Sequence, residues 1–270
     1  MKKFVMPILN ALQVCGCIQI WRKSMLSGLK ASGPTKLSGN ALKIIAAAFM
    51  AVDHIGFLFF PRIKILRILG RLAFPIFAFM IAEGCRYTKN RLRHFLSIFL
   101  LAVLCQTVYY FALRDTGMSI LVTFSLSILM IYGLQHCKKA LSNPALGWLR
   151  QSGAVLLFLL LVAAVYLLNQ WLTIDYGYWG CMVPVFASLF QQRGGEKTKF
   201  YGNTVHVAML GLGLIPLALT LGGIQFYSFL ALPLLLLYSG KRGNWNMKYF
   251  FYVFYPAHLV VLQGIYLLLH

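Results

Sequence analysis

Three ionisable residues interrupt stretches of sequence that are otherwise apolar. Asp53 and His54 are adjacent within the run AVDHIG, and His258 ends the run YPAH near the end of the chain. An imidazole titrates near neutral pH, so a histidine beside an acid suits general-base catalysis, and it suits a proton relay equally well. The residue types alone leave both kinds of chemistry open.

Common phosphate-loop and zinc motifs are absent from the sequence. The chain contains neither G-x-x-x-x-G-K-[ST] nor H-E-x-x-H, and its six cysteines lack the spacing of a zinc site or a disulfide framework. No metal site is therefore predicted.

The segments that carry these residues are predicted to be membrane-spanning helices. Of 270 residues, 60% are hydrophobic and 11% are charged, whereas a soluble domain usually carries about 25% charged residues. Apolar stretches of membrane-spanning length recur along the chain, and none has the strict alternation of a barrel strand. The sequence thus predicts an all-α, polytopic membrane helix bundle of about 9–10 transmembrane helices. The nine clearest spans are 41–60, 65–83, 95–113, 118–134, 153–172, 177–190, 204–220, 223–239 and 249–269. The sixth is short and contains Pro184, so it is expected to be broken or tilted.

The two histidines are expected at the same depth in this bundle. His54 lies roughly 16 Å along its helix from Lys43, and His258 lies roughly 15 Å from Lys248. Successive helical residues point about 100° apart, so Asp53 and His54 are not expected to pair with each other. Both are instead expected to face one cavity, which makes Asp53, His54 and His258 the catalytic candidates.

Arg71, Tyr255 and Asp175 are the candidates for binding a substrate. Arg71 lies just inside the second span, where it either anchors the helix at the interface or pairs with Asp53 or an incoming carboxylate or carbonyl. Tyr255 shares a helix face with His258. Asp175 lies at the opposite edge of the membrane from the main basic loops, beside several aromatic residues.

The net charge of +20 reflects membrane topology. Most Lys and Arg residues fall in alternate loops, as the positive-inside rule requires, so a nucleic-acid partner is not predicted. The pattern indicates a membrane protein whose first loop is cytoplasmic and whose C-terminus is outside. One turn, with Arg62, Lys64 and Arg67, breaks the pattern; its cations either snorkel to headgroups or bind an acidic group outside.

A basic segment after the second span includes Glu83, Arg86 and Arg91. It fits the positive-inside signal, and it also fits a phosphate or nucleotide site, since clustered Arg and Lys suit phosphate groups. These three residues are the candidates for binding a cofactor. Residues 1–36 are predicted to be an N-terminal interfacial segment or an extra helix, and residues 37–270 a single domain.

Five runs in this order resemble the TraX family: LSGNALK at 37–43, DHIG at 53–56, GRLAFPIF at 70–77, EG at 83–84 and FYVFYPAHL at 251–259. The family's namesake is an N-acetylase of pilin, distantly similar to the transmembrane acyltransferases. The resemblance implies that 37–270 is a transmembrane acyltransferase domain in the bacterial cytoplasmic (inner) membrane. Its co-substrate would be cytoplasmic acetyl-CoA, and its acceptor an amine or hydroxyl of a pilin-like peptide or cell-surface molecule on the outer side.

The resemblance also implies roles for individual residues. His54 would be the base, Asp53 would orient or charge it, and Arg71 would position the acyl carbonyl or the acceptor. His258 and Tyr255 would complete the cavity. From charge alone, Arg86 and Arg91 are expected to hold the CoA phosphates.

A proton-coupled membrane transporter is the alternative. Asp53, His54 and His258 would then form the relay. Transporters of this kind usually show two related halves with broken helices, and no such repeat is visible in the sequence. The expected partners of the enzyme are membrane lipid, acetyl-CoA and the acceptor.

Overall fold

The computed structural model describes residues 37–108, 110–111, 117–190, 199–243 and 248–269. The N-terminal segment predicted at 1–36 lies outside these residues. The described helices are α1 (Gly39–Leu58), α2 (Lys64–Gly70), α3 (Ala73–Tyr87), α4 (Arg91–Val108), α5 (Ile120–Leu141), α6 (Trp148–Trp171), α7 (Gly177–Ser188), α8 (Lys199–Leu221), a 3₁₀ helix (Gly223–Leu230), α9 (Ala231–Leu236) and α10 (Lys248–Leu269).

The predicted all-α membrane bundle is confirmed. Seven helical spans of the described chain have the length and hydrophobicity needed to cross a bilayer, with α2 and α3 forming one of them. The helix break between α2 and α3 falls at Arg71 and Leu72. Pro75 explains part of it, because proline has no N–H to donate to the carbonyl of Arg71, four residues earlier.

Two predicted spans are shorter than a bilayer-crossing helix. Helix α7 has 12 residues and contains Pro184, as the sequence indicated. Helix α7 still lies beside most of α5. The Thr123 hydroxyl near the start of α5 donates to the Asp175 carbonyl (2.6 Å), and the Lys138 ammonium near the end of α5 donates to the Ser188 carbonyl (3.2 Å). The second short span combines the 3₁₀ helix with α9, which end to end make 14 residues from Gly223 to Leu236.

Helices α1 and α10 lie side by side and run in the same direction. The Lys43 ammonium lies 6.0 Å from the Phe251 ring near the start of both helices. The rings of His54 and His258 lie 5.1 Å apart further along. The two histidines therefore lie at the same depth in the bundle, as the sequence predicted. We call the end of the bundle where α1 begins, and where Lys43 and Lys138 lie, the basic face.

The centre of the bundle is built from α3, α5 and α7, and lipid-facing helices surround it. Phe79, Ile128 and Val183 are fully buried there. Helix α6 instead exposes a succession of leucines, of which Leu157 and Leu160 keep more than half of their surface. Exposed leucines of this kind are the surface that lipid tails cover.

Two glycines let α2 fold back directly against α1. A Cβ atom on Gly56 would lie 2.7 Å from the Leu66 Cβ, and one on Gly70 would lie 2.1 Å from Asp53 Oδ1. Neither position has room for a side chain. This close approach brings the arginines of α2 onto the acid of α1.

Candidate active site

A cavity of about 460 Å³ opens among α1, α2, α3, α5 and α10. Five residues predicted from sequence line it: Asp53, His54, Arg71, Asp175 and Tyr255. Segments that are far apart in the chain thus converge on one space, which is typical of a site built between the helices of a bundle.

Asp53 is held by two arginines. Its Oδ2 accepts a hydrogen bond from Arg67 Nη1 at 2.6 Å, and its Oδ1 accepts one from Arg71 Nη2 at 3.2 Å. Arg71 also reaches the Tyr176 hydroxyl and the Gln225 side-chain oxygen, each at 3.5 Å. Two guanidinium groups against one carboxylate leave this cluster one net positive charge, and both arginines line the cavity.

His54 is oriented by its own helix. Its Nδ1 lies 2.8 Å from the carbonyl oxygen of Met50. A carbonyl can only accept, so this contact assigns the ring proton to Nδ1 and leaves a lone pair on Nε2. A neutral imidazole with a free Nε2, on the wall of a cavity, is prepared to accept a proton.

His258 lies behind His54, outside the cavity lining. Its Nδ1 is 2.9 Å from the Phe254 carbonyl, its ring stacks on Phe254, and its ring contacts Tyr255 edge-on. The Nε2 atom is buried and has no hydrogen-bond partner among the described residues. Of the two histidines, His54 lines the cavity and His258 does not, so the expectation that His258 would complete the cavity is not met.

Asp175 brings the second carboxylate to the cavity. The residue is exposed and lines the cavity, and among the described residues it makes no ion pair. The protein around the cavity displaces bulk water, and this desolvation raises the pKa of Asp175 to about 6, while the nearby positive charge of Arg71 opposes the shift. The next residue, Tyr176, adopts a left-handed conformation (φ 62°) and stacks on Phe74 at 4.2 Å. Non-glycine residues adopt this conformation where the surrounding structure enforces it, often at binding sites.

The predicted cofactor residues lie elsewhere. Glu83 is buried, with Arg86 at 3.5 Å and His206 at 3.6 Å. The Arg91 guanidinium stacks over the Tyr132 ring at 5.4 Å. None of Glu83, Arg86 and Arg91 lines the cavity that contains His54.

Comparison with known proteins assigns the chain to a family. A family model described as "TraX protein" matches residues 38–266, a range that includes every residue lining the cavity. The chain belongs to the TraX family. It is similar to the "Probable fimbrial assembly protein FimC, serogroup H1" of Dichelobacter nodosus, with 25% identity over 259 residues, covering 83% of this chain and 94% of that protein. An uncharacterised protein of Rickettsia prowazekii is 45% identical over 40 residues, covering 15% of this chain and 16% of its own. No solved structure matches the chain.

This TraX-family chain has a second cavity, of about 250 Å³, toward the basic face. Lys43, His94 and Arg242 lie in its lining, and much of the rest is apolar. Four side chains line both cavities: Met50, Phe77, Phe124 and Tyr255. We call these four the boundary residues, because the space beside His54 and the space beside Lys43 adjoin at them.

Sequence reasoning placed Arg67 among the cations that could bind an acidic group but did not pair it with Asp53, and it missed Tyr176 as a site residue. Arg67 and Arg71 are four residues apart, and this spacing puts both on one helix face, so their pairing with one acid could have been proposed. No local pattern marks Tyr176, because its role depends on the stacking partner and on the turn before α7.

Replacing Gly70 with alanine is expected to disrupt the cluster around Asp53. The added Cβ would lie 2.3 Å from the Asp53 Cβ as well as 2.1 Å from its Oδ1, so the helices must separate. Overpacking of this kind costs about 1–3 kcal/mol. We expect a lower midpoint of thermal unfolding in nanodiscs. Gly264→Ala is the matched control, because a Cβ there would meet nothing within 4 Å; equal midpoints for the two variants would contradict the prediction.

Proposed function

We propose that this protein is an integral membrane acetyltransferase, which moves an acetyl group from cytoplasmic acetyl-CoA to an amine or hydroxyl at the outer side of the bacterial inner membrane. The observation that carries the proposal is the position of His54, whose imidazole lines a cavity shared with the Asp53–Arg71 pair. A base and a cation that line one cavity are two groups that acyl transfer uses.

In the proposed reaction His54 acts as the general base. The acceptor nitrogen or oxygen attacks the carbonyl carbon of the thioester while its proton passes to His54 Nε2. The new C–N or C–O bond forms, the carbonyl oxygen becomes an oxyanion, and the C–S bond then breaks. The CoA thiolate leaves and takes up the proton from His54, which returns the ring to its starting state.

Arg71 is the proposed partner of the oxyanion. The cluster of Asp53, Arg67 and Arg71 carries one net positive charge, so a developing negative charge in the cavity is stabilised without displacing Asp53. Asp53 fixes the guanidinium groups, while Tyr255 closes the cavity beside His258. In this scheme His258 orients neighbouring rings and does not touch the substrate.

A pilin-like peptide or another cell-surface molecule is the proposed acceptor. The relative from Dichelobacter nodosus is named as a fimbrial assembly protein, and membership of the TraX family also supports a pilin-like acceptor. The arginine-rich turn at 62–67 and the Asp175 side of the cavity would face outward, with the basic face in the cytoplasm, as the positive-inside rule favours. The C-terminus, at the end of α10, would then lie outside, and membrane lipid would surround the helices.

Asp175 is expected to bind the acceptor when that acceptor is a cationic amine, which then gives one proton to water so that its neutral nitrogen can attack. Its pKa of about 6 means that the carboxylate is charged above this pH and neutral below it. Binding of an amine-bearing peptide should therefore weaken as pH falls from 7 to 5, and Asp175→Asn should weaken it about tenfold at pH 7 and remove the pH dependence. The same peptide with an acetylated amine is the control; if its binding shows the same pH dependence, Asp175 does not bind the ammonium.

Labelled acetyl-CoA tests the proposed activity directly. The purified protein in nanodiscs would be incubated with it and with peptide, amine and lipid acceptors, and both label transfer and thiol release would be followed. Turnover by the wild-type protein supports an acetyltransferase. Absence of turnover with every acceptor, in protein that is folded, contradicts it.

The transporter alternative is weaker on structural grounds. A relay through Asp53 would have to break its contacts with Arg67 and Arg71, which bond the carboxylate at once. The neighbouring rings of His54 and His258 still allow a relay between imidazoles. Uptake driven by a pH gradient in proteoliposomes, without acetyl transfer, would favour the transporter.

A further inference from the structure

The second cavity ends at two basic side chains. Lys43 comes from the first turns of α1, and Arg242 comes from the segment between α9 and α10. No acidic side chain lines the described part of this cavity. Its inner walls are apolar and include Met80, Ile81 and Leu101.

Backbone hydrogen bonds hold Arg242 beside Lys43. The Gly39 N–H donates to the Lys241 carbonyl at 2.8 Å, and the Asn40 N–H donates to the Arg242 carbonyl at 2.9 Å. The segment is thereby fastened to the start of α1. Lys43 and Arg242 both line this cavity, so an anion bound at this end of it could contact both.

We propose that Lys43 and Arg242 bind the diphosphate of the acyl-CoA donor, and that the second cavity holds its pantetheine arm. The inference rests on the proposed function and assigns the donor to a cavity distinct from that of the acceptor. The diphosphate is a compact dianion that suits two adjacent cations. The arm is a flexible chain with few charges, which suits the apolar walls.

The geometry leads from this anion site to the base. Lys43 and His54 are on the same helix, roughly 16 Å apart along its axis. The boundary residues Met50, Phe77, Phe124 and Tyr255 are common to both cavities. A donor whose phosphates lie at Lys43 therefore presents its thioester at this boundary, where His54 and the acceptor lie on the other side.

This assignment replaces Arg86 and Arg91 as the phosphate-binding residues. Arg86 pairs with buried Glu83, and Arg91 stacks on Tyr132. Neither lines the second cavity. Both remain useful as controls, because they carry the same charge near the same face without reaching the proposed site.

Binding of desulfo-CoA, a non-reactive analogue, tests the inference independently of turnover. Its dissociation constant would be measured by calorimetry with the full-length protein in nanodiscs of zwitterionic lipid. We expect Lys43→Gln and Arg242→Gln each to weaken binding about tenfold, as the loss of one charge-assisted contact predicts. Lys43→Arg should retain most of the affinity, and Arg91→Gln should bind like wild type.

A cavity-filling variant gives a second measurement. Ile81→Trp would occupy the apolar part of the second cavity and leave both cations in place. It should abolish binding of desulfo-CoA while 3′-phosphoadenosine 5′-diphosphate, which keeps the diphosphate and lacks the arm, still binds.

Three results would overturn the inference. Wild-type affinity in both Lys43→Gln and Arg242→Gln would do so, as would a selective loss in Arg91→Gln. Displacement of desulfo-CoA by anionic phospholipid alone, with no effect of Ile81→Trp, would assign the cations to a lipid headgroup instead. In each case acetyl transfer by the wild-type protein would leave the proposed function standing, so the two failures are distinguishable.

Discussion

Replacing His54 with alanine is expected to lower the turnover of acetyl transfer about 10²- to 10⁴-fold, the range that a general base contributes. The effect should fall on kcat more than on the KM for acetyl-CoA, because the imidazole acts on the acceptor proton. Its Nδ1 bond to the Met50 carbonyl already fixes the tautomer with a free Nε2, so removing the ring removes the base itself. Label transfer under saturating donor, with each variant at equal folded concentration, measures the effect.

His258→Ala and His136→Ala are the matched controls for this prediction. His258 touches His54 edge-on and lies behind the cavity wall, so its loss should lower turnover less, through the position of the His54 ring. His136 is exposed on α5, and its loss should change nothing. If His258→Ala lost all turnover while His54→Ala retained most of it, the roles of the two histidines would have to be exchanged.

Much of the helical architecture follows from composition and spacing. A helix rises about 1.5 Å per residue, so counting from Lys43 and from Lys248 was enough to place His54 and His258 at one depth. Their rings are 5.1 Å apart in the structure. The same periodicity indicated that Asp53 would not pair with His54, and Asp53 bonds to arginines instead.

The packing between segments could not be predicted from periodicity. The break at Arg71 and Leu72 depends on α2 folding against α1, and that fold depends on two glycines whose neighbours lie on another helix. Sequence reasoning took 65–83 as one continuous span for this reason. The partnership of Arg67 with Asp53 has the same origin.

Charge clustering in the sequence does not indicate the phosphate site that we propose. Arg86 and Arg91 lie in the most basic short segment, but their side chains contact Glu83 and Tyr132. Lys43 and Arg242 are about two hundred residues apart and meet only because backbone bonds fasten their segments together. Residue spacing can reveal a site formed by one helix. The site proposed here combines the start of α1 with the segment between α9 and α10, which are far apart in sequence.

Replacing Asp53 with alanine is expected to destabilise the protein by about 3 kcal/mol and to lower acetyl transfer about 100-fold or more. The carboxylate is the acceptor for Arg67 and Arg71, and the three side chains keep 16%, 27% and 15% of their surface. Breaking a buried ion pair by removing one partner costs about 3–5 kcal/mol, and partial exposure places this case at the low end. Two unpaired guanidinium groups would then repel each other, and Arg71 would lose the contact that aims it at the cavity. The midpoint of thermal unfolding and the turnover number measure the two effects.

The double variant Asp53→Ala with Arg67→Ala separates charge balance from the loss of the acid itself. It restores one net positive charge to the cluster, so stability should recover by a substantial part of the loss, since contacting charges are energetically coupled. Turnover should recover less, because Arg71 still lacks the oxygen that positions it at 3.2 Å. Full recovery of turnover would mean that Asp53 serves only to balance charge and that Arg71 needs no positioning. No recovery of stability would mean that Asp53 stabilises α1 by packing against Gly70, independently of the arginines.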